Sequence, residues 1–245
     1  MGAPTDNPLA VAIVCPMANE RATAAAFVRR VLEESARFDA VRMFVILDRI
    51  STDGTRELLE ILALSEPRLT IVWAPENRGV VDAYLRGYRE ALSTGMPWIL
   101  EIDGGFSHDP ADIAQFLPRM REGWDCIYGS RFCPGGRITE SGFARRVVSW
   151  GGTKLTNLLI GTHLADMTSG YQMFRREALA RILETGIRSR GPFFQTEMKI
   201  YSRRMRVVEV PIHYRAASHP VGRTALADSF RQLGGLFRRR LAGTL

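Results

Sequence analysis

Along the first 130 residues, short apolar runs alternate with amphipathic stretches. Residues 9–15 form a continuous apolar run of strand length, and residues 41–47, 69–73, 98–102 and 125–128 repeat that pattern. Between them, residues 21–36, 53–64, 79–92 and 109–121 place apolar side chains three and four apart, the helical period. Strand and helix alternating at this pitch predict an α/β fold: a mostly parallel, Rossmann-like sheet flanked by helices on both faces. The second half is less regular. Residues 144–160, 176–184, 194–203 and 225–241 read as helices, 207–210 as a strand, and 213–223 as a polar loop. No linker is long enough to divide the chain, so residues 1–245 are expected to form one domain.

In open α/β sheets, ligands bind beyond the carboxyl ends of the strands, so the residues after each strand are the candidate chemistry. The first strand is followed by Cys15-Pro16-Met17-Ala18-Asn19-Glu20. The absence of glycine there argues against a dinucleotide-binding G-x-G-x-x-G turn. After the second strand, Asp48, Ser51 and Asp53 offer groups for a ribose or base, although the same run also reads as an ordinary turn and cap. After the fourth strand, Asp103-Gly104-Gly105-Phe106-Ser107-His108-Asp109-Pro110 combines a carboxylate with glycines that allow close backbone approach. Such a site suits a divalent cation holding a diphosphate. Asp109, before a proline, reads as a helix cap, and His108 as a structural histidine.

Taken in order, these segments resemble the family-2 glycosyltransferases with the GT-A nucleotide-sugar fold, of the dolichol- or polyprenol-phosphate mannose synthase type. The likeness spans about residues 10 to 215. It runs through Pro16 to Glu20, Asp48 to Thr55, Asn77 with Gly79, Ala83 and Gly87, and Asp103 to Pro110. It continues through Gly129 to Phe132, Pro134 to Gly136, Arg145 with Arg146 and Ser149, Asp166 with Thr168 to Tyr171, Arg175 with Arg176, Phe194 to Met198, and Glu209 to Ile212. The resemblance implies a nucleotide pocket lined by Pro16, Asn19, Glu20, Asp48, Arg49 and Asp53. It implies a cation and diphosphate at Asp103 and Ser107, an acceptor phosphate at Arg131, Arg145 and Ser149, and Gln195 and Glu197 near the sugar. Residues 1–130 would then form the nucleotide half, 131–222 the acceptor half, and 223–245 a basic terminal helix.

The implied reaction is an inverting transfer from a nucleotide sugar, GDP-mannose-like or a UDP-sugar, to a polyprenyl or dolichyl phosphate, with Asp103, Arg131 and Glu197 as catalytic candidates. A hydroxyl acceptor would need a base, for which Glu197 or Asp103 are the candidates. A non-catalytic nucleotide-binding subunit is the remaining alternative. Four departures bear on this. Arg49 stands where the family has a second acidic residue. Gly105 replaces the second aspartate of D-x-D, so Mg²⁺ or Mn²⁺ is expected to bind weakly, and Glu101 is expected to point to the wrong strand face to substitute. Ala217 falls where a late arginine would lie, leaving Arg223 as the candidate for a following lysine. No C-terminal membrane span follows.

Composition narrows the partners. The net charge of +7 and pI of about 9.8 favour anionic ligands. Arg231 and Arg238 to Arg240, set among Phe230, Leu233, Leu236, Phe237 and Leu241, read either as a solvated helix face or as an anionic-membrane contact. No basic recognition motif points to nucleic acid. Three cysteines without a C-x-x-C pair fit a reducing cytosol. Residues 1–8 lack a signal-peptide pattern, and no run reaches about 18 apolar residues. A cytoplasmic protein, peripheral at the membrane, is the expectation.

Overall fold

The computed structural model describes residues 8–139, 143–215 and 222–245, without the side chains of residues 143–145 and 223. The chain runs β1 (Ala10–Pro16), α1 (Ala24–Glu34), β2 (Ala40–Leu47), α2 (Thr55–Ala63), β3 (Leu69–Trp73), α3 (Val80–Ser93) and β4 (Trp98–Glu101). The expected helix over 109–121 is broken into a 3-10 turn (Pro110–Asp112), a single α turn, α4 (Ile113–Phe116), and a second 3-10 turn (Leu117–Arg121). Pro118 explains the break, because it lacks an N–H and clashes with the preceding turn. There follow β5 (Cys126–Ser130), β6 (Arg137–Thr139), α5 (Phe143–Ile160), β7 (Gln172–Arg175), α6 (Arg176–Glu184), α7 (Phe194–Tyr201), β8 (Val207–Pro211), β9 (His213–Arg215) and α8 (Arg223–Leu241).

Seven strands form one sheet in the order β3-β2-β1-β4-β7-β5-β8. It is parallel except at β7, which runs antiparallel to both neighbours. The polar loop expected over 213–223 instead contributes β9, which pairs with β6 in a second, two-stranded ribbon; residues 216–221, including Ala217, lie outside the described residues.

The central strands are apolar throughout because both faces are covered. Along β1, Val11, Ile13 and Cys15 join one buried cluster with Phe27, Val28 and Val31 of α1. Ala12 and Val14 join the opposite cluster with Phe44, Ile46, Tyr84 and Tyr88. Gly87 lets α3 lie close on the sheet: a Cβ there would fall 2.4 Å from Val14 Cγ1 and 2.7 Å from Ile46 Cδ1. That approach decides how the tyrosines of α3 meet the end of β4.

Candidate functional site

The strand order reverses direction at β1, whose neighbours β2 and β4 were made before and after the crossover through α2, β3 and α3. A crevice at the carboxyl ends of these strands is where such sheets bind ligands. The ends of β1, β2 and β4 place Pro16, Asp48 and Asp103 along this edge.

Side chains two apart on an extended strand lie about 7 Å apart, close to the rise of one helical turn. Tyr84 and Tyr88, one turn apart on α3, therefore match Asp103 and Glu101. Tyr84 donates its hydroxyl to Asp103 Oδ1, and Tyr88 donates to Glu101 Oε2. Glu101 thus faces the same side as Asp103, contrary to the expectation from sequence. Depth separates the two: the Asp103 side chain is 38% exposed and Glu101 is wholly buried. Burial pushes the Glu101 carboxyl up to about 8, although the hydrogen bond from Tyr88 opposes the shift. His108 lies buried beside Asp103, stacked on Tyr171 at 5.0 Å; its Nδ1 accepts the Asp103 N–H at 3.4 Å. Burial lowers its pKa, so the ring is a neutral structural wedge.

Several donor-side candidates also hold the loops at the crevice edge. Asn19 sits at φ 56° and stitches the β1 loop to the β2 loop, accepting from Thr52 N at 2.9 Å and donating to Ile50 O at 3.0 Å. Asp53 accepts from Thr55 N at 3.0 Å, the Thr55 hydroxyl and Arg21 N at 3.0 Å. The Thr55 hydroxyl is the main reason its pKa is lowered. Asp53 therefore caps the loop. Asp48 spends one oxygen on Ile50 N at 2.9 Å, and Arg49 is exposed. Ser107 passes its carbonyl to Arg215 N at 2.8 Å.

Gly105 has φ +79°, and a Cβ there would lie 2.8 Å from Glu20 Oε1. The Glu20 carboxylate thus borders the place a side chain at 105 would take. Its other oxygen, Oε2, accepts from the Thr23 hydroxyl at 2.8 Å. Among the described residues no group of three His, Cys, Asp or Glu side chains could hold a metal ion. Asp103, with Glu20 nearby, fits only a cation that arrives with diphosphate oxygens, the usual habit of Mg²⁺-type sites.

Arg131, 7% exposed, is not a free phosphate fork. Its Nε and Nη2 grip Asp166 at 2.7 and 2.8 Å, its backbone N–H adds a third bond at 3.1 Å, and Nη2 also reaches the Thr168 hydroxyl. Asp166 in turn accepts from Thr168 N at 3.0 Å. Burial raises the Asp166 pKa, but the Arg131 charge and hydrogen bonds outweigh it and hold the carboxyl well below the usual range. Of the guanidinium nitrogens, only Arg131 Nη1 has no hydrogen-bond partner among the described residues.

Glu197, expected near the sugar, is turned away. It is buried in α7 and accepts from Arg188 N, Ser189 N at 2.8 Å and the Tyr201 hydroxyl at 2.7 Å. It fastens the 186–189 loop and is not free to act as a base. Gln195, two residues earlier on α7, does reach the site and packs against Gly170, where a Cβ would fall 1.9 Å from its Nε2.

Asp103, Arg131, Ser149, Thr168, Gln195 and Tyr84 share the wall of one cavity of about 690 Å³. Its other wall is apolar: Val147, Val148 and Leu155 of α5, Phe193, and Leu226, Phe230 and Leu233 of α8. Gly151 and Gly152 of α5 widen it, since a Cβ at 151 would meet no atom within 4 Å. Arg145 is in α5, but its side chain lies outside the described residues, as does that of Arg223. The C-terminal arginines differ from expectation. Arg240 caps α5 through Leu159 O at 2.7 Å, and Arg239 bonds the Tyr201 hydroxyl at 3.2 Å. Two of the three thus tie α8 down. Sequence reasoning missed Tyr84 and the roles of Tyr88 and Glu101; the four-residue tyrosine spacing was the available signal.

A mixed sheet with β7 reversed, a glycine-loosened strand-end turn bearing Asp103 and a cavity beside it define a GT-A nucleotide-sugar fold. The glycosyl transferase family 2 model matches residues 12–183, and the chain belongs to that family. It is 31% identical over 172 residues to an undecaprenyl-phosphate mannosyltransferase of Micrococcus luteus, covering 69% of this chain and 70% of that protein. It is also 31% identical over 205 residues to a polyprenol monophosphomannose synthase of Mycolicibacterium smegmatis, covering 82% and 76%. A glucosyl-3-phosphoglycerate synthase of Mycobacterium tuberculosis, solved with Mn²⁺, UDP-glucose and phosphoglyceric acid, superposes with a TM-score of 0.65 at 19% identity over 94% of this chain and 79% of that one.

Proposed function

We propose that this glycosyltransferase moves a mannosyl group, with inversion, from a nucleotide sugar to a polyprenyl phosphate. The observation that carries the reading is the single cavity in which Asp103, Arg131 and Ser149 meet an apolar wall between α5 and α8. A phosphate group needs the polar end, and a prenyl chain needs the apolar one. The two curated relatives act on lipid phosphates by their names.

In this reading the nucleotide diphosphate lies along Pro16, Glu20, Asp48 and Asp103. A divalent cation held by Asp103 and the diphosphate would neutralise the departing charge. An acceptor phosphate oxygen forms the new bond to the anomeric carbon from the opposite face. The old C–O bond breaks, and its electron pair leaves with the diphosphate. The acceptor is already anionic, so no base is required, which agrees with Glu197 being spent on its loop. Arg131 Nη1, Ser149 and, by resemblance, Arg145 hold the acceptor phosphate. Orientation and electrostatics carry the rate. The chain acts as one domain, residues 1–130 serving the donor and 131–222 the acceptor. Among the described residues no helix is long and apolar enough to cross a membrane. Exposed Val147, Val148 and Trp150 on α5 and Phe230 on α8 flank the cavity and would rest on the bilayer that supplies the acceptor.

The test is transfer of radiolabel from GDP-mannose to undecaprenyl phosphate, followed by the anomeric configuration of the product. Label passing only to a hydroxyl acceptor or to water, or retention of configuration, would overturn the reading.

A further inference from the structure

We infer that Glu101 is a positioning residue that fixes the Gln195 side-chain amide so that its carbonyl oxygen faces the cavity as a hydrogen-bond acceptor for a hydroxyl of the transferred sugar. The inference rests on the transferase reading above and assigns a role to a carboxylate that no other part of the mechanism uses.

The geometry begins with the strand register. Glu101 of β4 lies opposite Gln172 of β7, and its carboxylate is surrounded by donors. Gln195 Nε2 approaches Oε1 at 3.0 Å, Gln172 Nε2 lies 3.5 Å from the same oxygen, and the Tyr88 hydroxyl meets Oε2. An oxygen of Gln195 turned toward Glu101 would set acceptor against acceptor, so the amide NH₂ points inward. The amide also lies against Gly170, in the space that a Cβ there would occupy. Gln195 Oε1 then has no hydrogen-bond partner among the described residues, on a side chain that lines the cavity beside Asp103.

The orientation survives a change of protonation. When Glu101 is ionised, Tyr88 donates to Oε2. When it is neutral, the proton sits on Oε2 and is given to the Tyr88 oxygen, while the Tyr88 O–H turns to Met198 Sδ at 3.6 Å. In both states Oε1 still accepts from Gln195. A carbonyl oxygen presented to the cavity repels a phosphate and attracts a hydroxyl, which places the contact on the sugar rather than on the acceptor group.

A double-mutant cycle tests this. Glu101→Met removes the acceptor at similar length. It should lower kcat/KM for GDP-mannose about 10- to 100-fold, the usual cost of one misdirected buried hydrogen bond. Gln195→Ala should lose a similar factor, and Glu101→Met should cost nothing further in the Gln195→Ala background. Glu101→Gln keeps an oxygen for Gln195 and an N–H for Tyr88, so it should hold within about threefold of wild type. Equal losses from Glu101→Met in both backgrounds would mean a general structural role and would overturn the inference, as would wild-type turnover in Glu101→Met. If wild type transfers nothing from GDP-mannose to undecaprenyl phosphate, the proposed function fails. The cycle is then read by calorimetry as the affinity of GDP-mannose and of UDP-glucose, each relative to its bare diphosphate. The same coupling supports the inference there, and its absence refutes it.

Discussion

Replacing Arg131 should do far more than weaken an acceptor contact. Arg131→Met leaves Asp166 wholly buried with the backbone N–H groups at position 131 and of Thr168 and the neighbouring Lys199 charge to offset its carboxylate, since the bidentate guanidinium supplied two of its hydrogen bonds. Breaking a buried ion pair from one side costs about 3–5 kcal/mol. In a chain of this length each kcal/mol moves the midpoint by roughly 2–4 °C, so Tm should fall on the order of 10 °C. That is a large share of the 5–15 kcal/mol typical of a folded domain. Adding Asp166→Asn removes the stranded charge but keeps an oxygen for Thr168 N. The double variant should recover about 2 kcal/mol of the loss. Urea unfolding of wild type, Arg131→Met, Asp166→Asn and the double variant measures all four corners. Transfer assays at 10 °C below each midpoint separate stability from chemistry: the double variant should refold yet stay at least about tenfold slower with polyprenyl phosphate, having lost Nη1. An Arg131→Met protein within about 1 kcal/mol of wild type would refute the reasoning, because the pair would then carry no buried charge worth the name.

Asp103→Ala should abolish transfer and cost only about 1–3 kcal/mol of stability, since it strands the buried Tyr84 hydroxyl but removes a carboxylate 38% exposed; wild-type turnover would remove Asp103 from the donor site. Gly105→Asp forces a side chain onto φ +79° and against Glu20, and should cost about 1–3 kcal/mol; paired with Glu20→Gln it should bind Mn²⁺ more tightly in the presence of GDP than Glu20→Gln alone, as titration would show. Phe230→Asp, at a residue 60% exposed on the cavity rim, should raise KM for a long polyprenyl phosphate and leave a short, water-soluble one unchanged. The Glu101 carboxyl is raised from 4.5 to about 8 by burial, so its contribution to stability is complete below pH 4.5 and is lost as pH rises through 8. Between pH 5 and 8 wild type should therefore lose on the order of a few kcal/mol relative to Glu101→Gln, and parallel Tm profiles for the two proteins would refute the shift.

The first half of the fold was legible because its strands are buried on both faces, which makes them continuous apolar runs that punctuation by loops cannot hide. Strand β7 was not legible. Gln172–Arg175 is four residues between a tight turn and a helix, too short to show a period, and its reversal depends on fitting between β4 and β5. Among the site residues, Asp103 followed directly from strand-end position. Arg131 was found, but its partner Asp166 lies 35 residues away, and local spacing cannot reveal that pairing. Glu197 and Gln195 are neighbours on one helix, and only the packing of α7 decides that Gln195 faces the cavity while Glu197 faces the loop. The C-terminal arginines read as a charged patch because sequence shows their charge and not the carbonyl at Leu159 that Arg240 caps. Leu236 is buried in the core, so removing the residues after Gly234 would take away a core side chain together with the basic patch.

The buried charges share one location, and that location argues for their use. Arg131, Asp166, Lys199 and Glu101 are linked, directly or through Asp166, to Thr168 or Gln195, which line the cavity. Lys199 Nζ donates to Asp166 O at 2.8 Å and sits 5.1 Å from the Tyr128 ring centre; burial lowers its pKa to about 8. Apolar side chains of similar volume would serve stability as well or better than such a set. The two cations Arg131 and Lys199 face the carboxylates of Asp166 and Glu209, with Asp103 also acting on Arg131. Fixed charges of both signs thus sit in a medium of low dielectric constant, where each acts at greater range than in water. The salt-bridged Arg131 then serves twice in the proposed reading: its Nε and Nη2 hold the turn that shapes the cavity, and Nη1 remains for the acceptor phosphate.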